Sequence, residues 1–298
     1  MKASDLRKAI AELTVWESRG RRAPHKPLLL LFALGQLVMS GERWLRFRSV
    51  EPKLKRLLED FGPPRRQHRP EQPYWRLQSD GSIWSVIDNE RFPLSADGAP
   101  TAKTLRDRDA SAGFSESAYQ LLKHDPSLKF DIAERLLVAH FPVSVHEELK
   151  VDLGLESLGE HLKNGPQTLR PRDPRFRETV LHNYNCQCAI CGYSVRLGNA
   201  LVGLDAAHIK WHQAGGPSEA RNGLALCSLH HQMFDRGIFA LDAHFRVIVS
   251  PLVNGSDGSI LQHLGVFEKR TIRFSRNRDL LPAEEYLAWH REQVFRAT

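Results

Sequence analysis

Apolar residues recur at helical spacing from the start of the chain. Leu6, Ile10 and Leu13 share one face of a segment over 4–16, with Ser4 as candidate N-cap. From Leu28 to Met39 almost every position is apolar. Such a segment has no water-facing side, and predicts a helix buried at the centre of a core. Pro27 suits its first turn, where no intrahelical donor is lost, and Gly41 ends it. Leu54, Leu57, Leu58 and Phe61 return to one-faced spacing and predict an amphipathic helix over 51–61. Shorter helices are predicted over 115–123 and 131–141.

A basic loop with four prolines, Pro63 to Pro73, precedes a change of pattern. Tyr74-Trp75-Arg76-Leu77, the turn Ser79-Asp80-Gly81 and Ile83-Trp84-Ser85-Val86 predict a β-hairpin with Asp-Gly as its turn. Helices followed by a hairpin give the N-terminal part an α+β, winged-helix-like reading. A Glu/Lys/Leu/Gly stretch followed by Pro166, Pro171 and Pro174 marks a boundary. The expected organisation is a domain over 1–150, a linker over 151–172 and a second domain over 173–298. That second domain is read as a helix over 175–184, a strand over 245–250 and a helix over 282–296 carrying Tyr286, Leu287 and Trp289. No internal repeat is visible.

Composition narrows the class. With 298 residues, 41% hydrophobic and 26% charged, the chain fits soluble globular domains and excludes disorder or a collagen-like fibre. The apolar run Leu28 to Leu34 is too short to span a bilayer, so no membrane partner is expected. The start, Met1 to Leu6, lacks the apolar core of a signal peptide, so a cytoplasmic location is expected. Net charge is +7, and residues 1–71 hold 16 Lys/Arg against 8 Asp/Glu. Clustered cations can displace counterions from nucleic acid, although a solvated basic surface has the same composition.

The four cysteines change the picture most. Cys188 and Cys191 form a two-residue-spaced knuckle, and Cys227 with His230 supplies a matching pair. Four N/S donors are what a closed, structural zinc site requires. Cys186 is a competitor for the first position. His230 and His231 point about 100° apart on a helix, so one metal does not take both. Beyond the zinc donors stand His208, in Asp205-Ala206-Ala207-His208-Ile209, and Asn222. A zinc finger has no use for these extra residues, but hydrolysis does: a histidine near its neutral pKa can take a proton from water.

The string from Cys188-Ala189-Ile190-Cys191 through His208 and Asn222 to His230-His231 and Phe234-Asp235 resembles the HNH (ββα-metal) nucleases. The resemblance implies a structural zinc on Cys188, Cys191, Cys227 and His230, with the opposite assignment of His230 and His231 as the alternative. It implies His208 as general base, Asn222 as the residue that orients it, and His231 as ligand of a catalytic divalent ion, Mg2+ or Mn2+. The family often carries a metal ligand directly before the base, where this chain has Ala207. Asp205 is the candidate second ligand. A regular strand turns it away from His208, so a bulge would have to bring it to the metal. The implied activity is that of an endodeoxyribonuclease.

Upstream, Arg21-Arg22-Ala23-Pro24-His25-Lys26-Pro27 ahead of the apolar helix, with Gln72-Pro73-Tyr74-Trp75-Arg76-Leu77, is similar to the sulfur-binding domain of McrA-like type IV restriction enzymes. That resemblance implies a partner, double-stranded DNA in which sulfur replaces a non-bridging phosphate oxygen. It implies Pro24, His25 and Lys26 as the core of the reader, Arg21 and Arg22 beside it, and Pro73 and Tyr74 as a second wall. Where the family often has tyrosine, this chain has Gln72. A phosphorothioate keeps its charge but presents a larger, softer and less hydrated atom, which suits a proline ring next to nitrogen donors. The N-terminus of the helix at Pro27 favours an anion.

The expected function is a modification-dependent restriction endonuclease that binds phosphorothioated DNA and cuts nearby. Two other readings remain. One is an HNH nuclease reading a methylated base, and the other is a zinc-containing DNA-binding regulator without catalysis. A double-strand cut would call for a homodimer or two independent nicks.

Overall fold

A computed structural model describes residues 1–18, 21–156, 158, 174–273 and 277–297. For Glu17, Ser18, Arg21, Arg22 and Pro174 it describes the backbone alone. The chain forms two compact units, Met1–Gln167 and Thr168–Thr298.

The first unit runs α1 (Ala3–Ala11), β1 (Trp16–Ser18), β2 (Arg21–Ala23), α2 (His25–Met39), β3 (Trp44–Arg46), α3 (Phe47–Phe61) and α4 (Glu71–Arg76). It continues through β4 (Trp84–Val86), α5 (Ala102–Asp107), β5 (Ser111–Phe114), α6 (Glu116–His124), α7 (Pro126–His140) and α8 (His146–Leu153). Helix α2 is the expected central helix, buried at every position from Pro27 to Gly35. It packs against α3, α4, α7 and α8. The approach of α8 is close enough that a Cβ on Gly35 would meet the Leu153 carbonyl oxygen at 1.9 Å. Leu149, Leu153, Leu155 and Leu158 all belong to this core. The first residues of the expected linker are therefore part of the N-terminal unit; 159–172 lie outside the described residues.

Two expectations are corrected here. The predicted 74–86 hairpin is not formed, because Tyr74 to Arg76 belong to α4. Tyr74, Trp75 and Leu77 are all buried, two of them adjacent, so buried and exposed positions do not alternate as a half-buried strand would require. Asp80-Gly81 is still a turn, with Gly81 at φ 68°. Strand β4 pairs instead with β5, which also pairs with β3, giving an antiparallel sheet in the order β3-β5-β4. Helix α7 begins five residues before its predicted start. The Asp125 side chain caps it by accepting from the Leu128 N–H at 2.9 Å, and Pro126 takes the first turn. The segment before Pro24 is the hairpin β1–β2.

The second unit runs α9 (Pro174–Asn183), β6 (Val195–Leu197), β7 (Ala200–Val202), β8 (Leu204–His208), β9 (Gly223–Cys227), α10 (Ser228–Asp235), β10 (Phe239–Leu241), β11 (Val247–Val249), α11 (Asp257–His263) and α12 (Glu284–Gln293). Its centre is the antiparallel pair β8–β9 followed directly by α10, a ββα unit. Gly223, opposite His208, lets α9 approach: a Cβ there would meet Val180 at 2.4 Å. Among the described residues, no helix is long and apolar enough to cross a membrane.

Candidate active site, zinc centre and DNA-reading edge

Four donors converge in the second unit. Cys188 and Cys191 come from the turn after α9, Cys227 from the end of β9, and His230 from the first turn of α10. Their ligand atoms all lie within 4.8 Å of one another. Backbone bonds close the knuckle, with Gly192 N–H donating to the Cys188 carbonyl and Cys188 N–H to that of Tyr193, both at 2.9 Å. Nδ1 of His230 lies 3.1 Å from Cys227 Sγ, while its Nε2 donates to the His263 carbonyl at 3.0 Å. That outer bond fixes the tautomer and turns the Nδ1 lone pair toward the thiols. The donor set fits a structural zinc, as expected from the sequence. Cys186 is outside the group, at φ 53° in the turn after α9.

His208 closes β8. Its ring stacks on Phe176 of α9, with centroids 4.1 Å apart and planes 19° apart, and its Nε2 lies 3.1 Å from the Ser218 hydroxyl. Asn222 is fully buried just before β9. Its Oδ1 accepts from the Lys210 N–H at 2.8 Å; its Nδ2 donates to the carbonyls of Lys210 at 3.0 Å and Pro217 at 2.9 Å. The amide thereby clamps both ends of the loop that leaves His208. This is a backbone contact, and it acts on the loop rather than on the imidazole.

His231 lies one position beyond His230, with its Nε2 3.2 Å from Asp235 Oδ2. Asp205 is placed differently from the bulge expected for it. β8 and β9 pair residue for residue from Leu204↔Cys227 to His208↔Gly223, so there is no bulge. Asp205 faces away from His208, and its carboxylate accepts from Arg177 Nε at 3.1 Å. Among the described residues, the Cys3His group is the one set of three or more donors placed to hold a metal.

In the first unit, Pro24 is buried at the start of α2. His25 follows with its Nε2 buried and without a hydrogen-bond partner. Burial, and then the charges of Arg65 and His68, lower its pKa to about 4, so the ring is neutral at physiological pH. Lys26 is committed elsewhere. Its ammonium lies 2.5 Å from Asp80, and both side chains are largely buried. The side chains of Arg21 and Arg22 lie outside the described residues.

The second wall expected from Pro73 and Tyr74 is corrected. Pro73 is buried in α4. Tyr74 has no accessible surface, and its hydroxyl is shared between the carbonyls of Leu45 at 2.7 Å and Ala110 at 3.0 Å. A tyrosine hydroxyl inside a core must find such partners, and these hold it there. The exposed groups beside His25 are others. Trp16 is 50% exposed and pairs across the β1–β2 hairpin with Ala23, and the Arg65 guanidinium lies 4.9 Å above its ring. Sequence reasoning did not single out Trp16, Arg65, Phe176 or Ser218, whose meeting depends on distant segments. Asp235 carried a signal, since it stands four residues after His231 on one helix.

Comparisons with known proteins agree with this division. The family model described as "ScoMcrA-like, DNA sulfur-binding domain" matches residues 3–158, and that described as "HNH endonuclease" matches 188–242. Among solved structures, the sulfur-binding domain of ScoMcrA with phosphorothioated DNA is 27% identical, with a TM-score of 0.45; the match covers 51% of this chain and 96% of that one. The sulfur-binding domain of SprMcrA with phosphorothioated DNA is 22% identical, with a TM-score of 0.42, covering 53% and 98%. The type IV phosphorothioation-dependent restriction endonuclease ScoMcrA is 30% identical with a TM-score of 0.40; 45% of this chain corresponds to 26% of that protein. No protein of curated function matches. With a sulfur-reading domain matched over more than half its length and an HNH segment behind it, the chain belongs to the ScoMcrA-like DNA sulfur-binding domain family.

Proposed function

We propose that this chain is a modification-dependent, type IV restriction endonuclease that binds phosphorothioated double-stranded DNA and hydrolyses nearby phosphodiester bonds. The observation that carries the reading is one chain holding both a sulfur-binding domain and a ββα unit that carries His208, Asn222 and His231 as well as a Cys3His group.

In the reader, Pro24 and His25 receive the sulfur at the start of α2. A neutral imidazole suits this atom better than an ammonium, because it offers a donor without a tightly held water shell. Lys26, locked to Asp80, shapes the start of the helix, and Arg65 on Trp16 supplies the exposed cation for the DNA backbone. In the nuclease unit, His208 accepts the proton of the attacking water. Phe176 and Ser218 hold its ring, and Asn222 holds the loop behind it. His231 would bind the divalent ion, Mg2+ or Mn2+; Asp205, on an unbulged strand and held by Arg177, is not placed to join it. The donor type fits: an imidazole leaves the remaining positions to phosphate oxygens and water. When bound, the ion supplies positive charge to the phosphate and its leaving oxygen. A single active site per chain makes a double-strand cut the work of two copies or of two nicks.

The test uses full-length protein and duplexes of identical sequence with phosphorothioate, phosphate or methylated-base chemistry, assayed for binding and cleavage in Mg2+ and Mn2+. Selective binding and cutting of the phosphorothioate duplex is expected. Equal treatment of all three sinks the reader assignment, and selective binding without cleavage under either ion favours the regulator.

A further inference from the structure

We propose that Asp235 is a positioning residue: it fixes the ring of His231 and ties it to the loop that leaves His208. The proposal rests on the reading of His231 as ligand of the catalytic ion. Asp235 is 4% exposed at the end of α10. One carboxylate oxygen, Oδ2, lies 3.2 Å from His231 Nε2. The other, Oδ1, accepts from the Trp211 indole N–H at 3.1 Å. Trp211 follows Lys210, whose backbone Asn222 clamps. Adjacent residues of this loop are therefore pinned from two sides, one through the asparagine and one through the buried carboxylate.

The chemistry gives this arrangement a direction. An imidazole that donates from Nε2 to a carboxylate carries its lone pair on Nδ1. The carboxylate also holds the ring in one orientation, which makes it a better ligand. His230 uses the same device in the zinc centre, with the His263 carbonyl as its acceptor. Asp235 would do for the catalytic ion what that carbonyl does for zinc. Through Trp211 it also sets the ion's histidine at a constant separation from the base, which matters because reacting groups must be held to within fractions of an ångström.

The test is made on the full chain with zinc retained and 15N-labelled histidine. Four results are expected. His231 of the wild type is the Nε2–H tautomer without added divalent ion. Asp235→Asn loses that preference and binds Mn2+ about 10- to 100-fold more weakly by calorimetry. The same variant keeps its zinc and its binding to phosphorothioated DNA. Trp211→Phe keeps the tautomer and the Mn2+ affinity but cuts more slowly. An Nδ1–H tautomer in the wild type overturns the proposal without any variant. If His231→Ala loses Mn2+ binding while Asp235→Asn keeps it, the proposal alone fails. If His231→Ala binds Mn2+ like the wild type, the assignment of His231 to the ion fails first.

Discussion

The two units hold their candidate histidines still by different means. In the first unit the support is apolar. Helix α2 is rich in buried leucines, and His25 sits at its start as a neutral, half-buried ring whose Nε2 is buried without a hydrogen-bond partner. In the second unit the support is polar and specific, with a carbonyl behind His230, a hydroxyl at His208 and a carboxylate at His231. The difference suits the tasks proposed for them. A soft anion is recognised by shape and by weakly hydrated donors, so an apolar setting is enough. Hydrolysis needs defined tautomers and a defined separation between base and ion, which only directed hydrogen bonds supply.

The comparison is broken most severely at the zinc centre. Cys227→Ala, or removal of zinc by a chelator, should unfold the second unit, since structural zinc contributes about 10–16 kcal/mol in zinc-finger peptides. Proteolysis and metal analysis read the loss. Retained binding to phosphorothioated DNA by the damaged chain would establish that the units are held independently, and loss of binding would deny it.

His208→Ala comes next. Removing a general base is expected to slow cleavage by about 10²- to 10⁴-fold, with binding and zinc content unchanged. A cleavage rate near that of the wild type would transfer the base role to another residue. For Asn222→Ala, three buried hydrogen bonds disappear together. Denaturant unfolding should show a loss of about 2–4 kcal/mol, accompanied by slower cleavage. An intact loop with full activity would remove the clamp from the argument.

Lys26→Ala sharpens the first half of the comparison. It leaves Asp80 buried and unpaired, so a loss of about 3–5 kcal/mol in the first unit is expected. If stability is unaffected and only DNA binding weakens, Lys26 is a ligand of DNA rather than a strut. The smallest effect is in pH. The folded pKa of His25, about 4, lies below its unfolded value of 6.5. Its contribution is therefore fully present above pH 6.5 and is lost as pH falls toward 4, up to about 3 kcal/mol. His25→Gln should flatten the pH dependence of first-unit stability in that window; an unchanged slope would show that other groups set it.

Legibility differed between the units for a physical reason. Metal ligands and their neighbours sit at short spacings set by knuckle and helix geometry, so Cys188, Cys191, Cys227 and His230 could be read from the chain, and the structure brings all four together. The reader is built by segments far apart in sequence. Its central helix was visible because α2 is apolar all round, but the segment around Tyr74 was misread. A short, mostly apolar run such as Tyr74-Trp75-Arg76-Leu77 fits a strand and a short buried helix equally well, and only the pairing of β4 with β5 decides between them.

The sequence by itself determined the two-part organisation, the buried helix, the Cys3His donor set and the histidine–asparagine–histidine spacing, because each depends on local period or on short chemical spacing. Tertiary structure alone decided that Tyr74 is core, that Lys26 belongs to Asp80, and that Arg65 and Trp16 stand beside His25. It likewise decided that Asp205 lies across β8 from the base and that Asp235 joins His231 to Trp211. Each of these is a choice of partner, made by burial and by which donor finds which acceptor after the chain has folded.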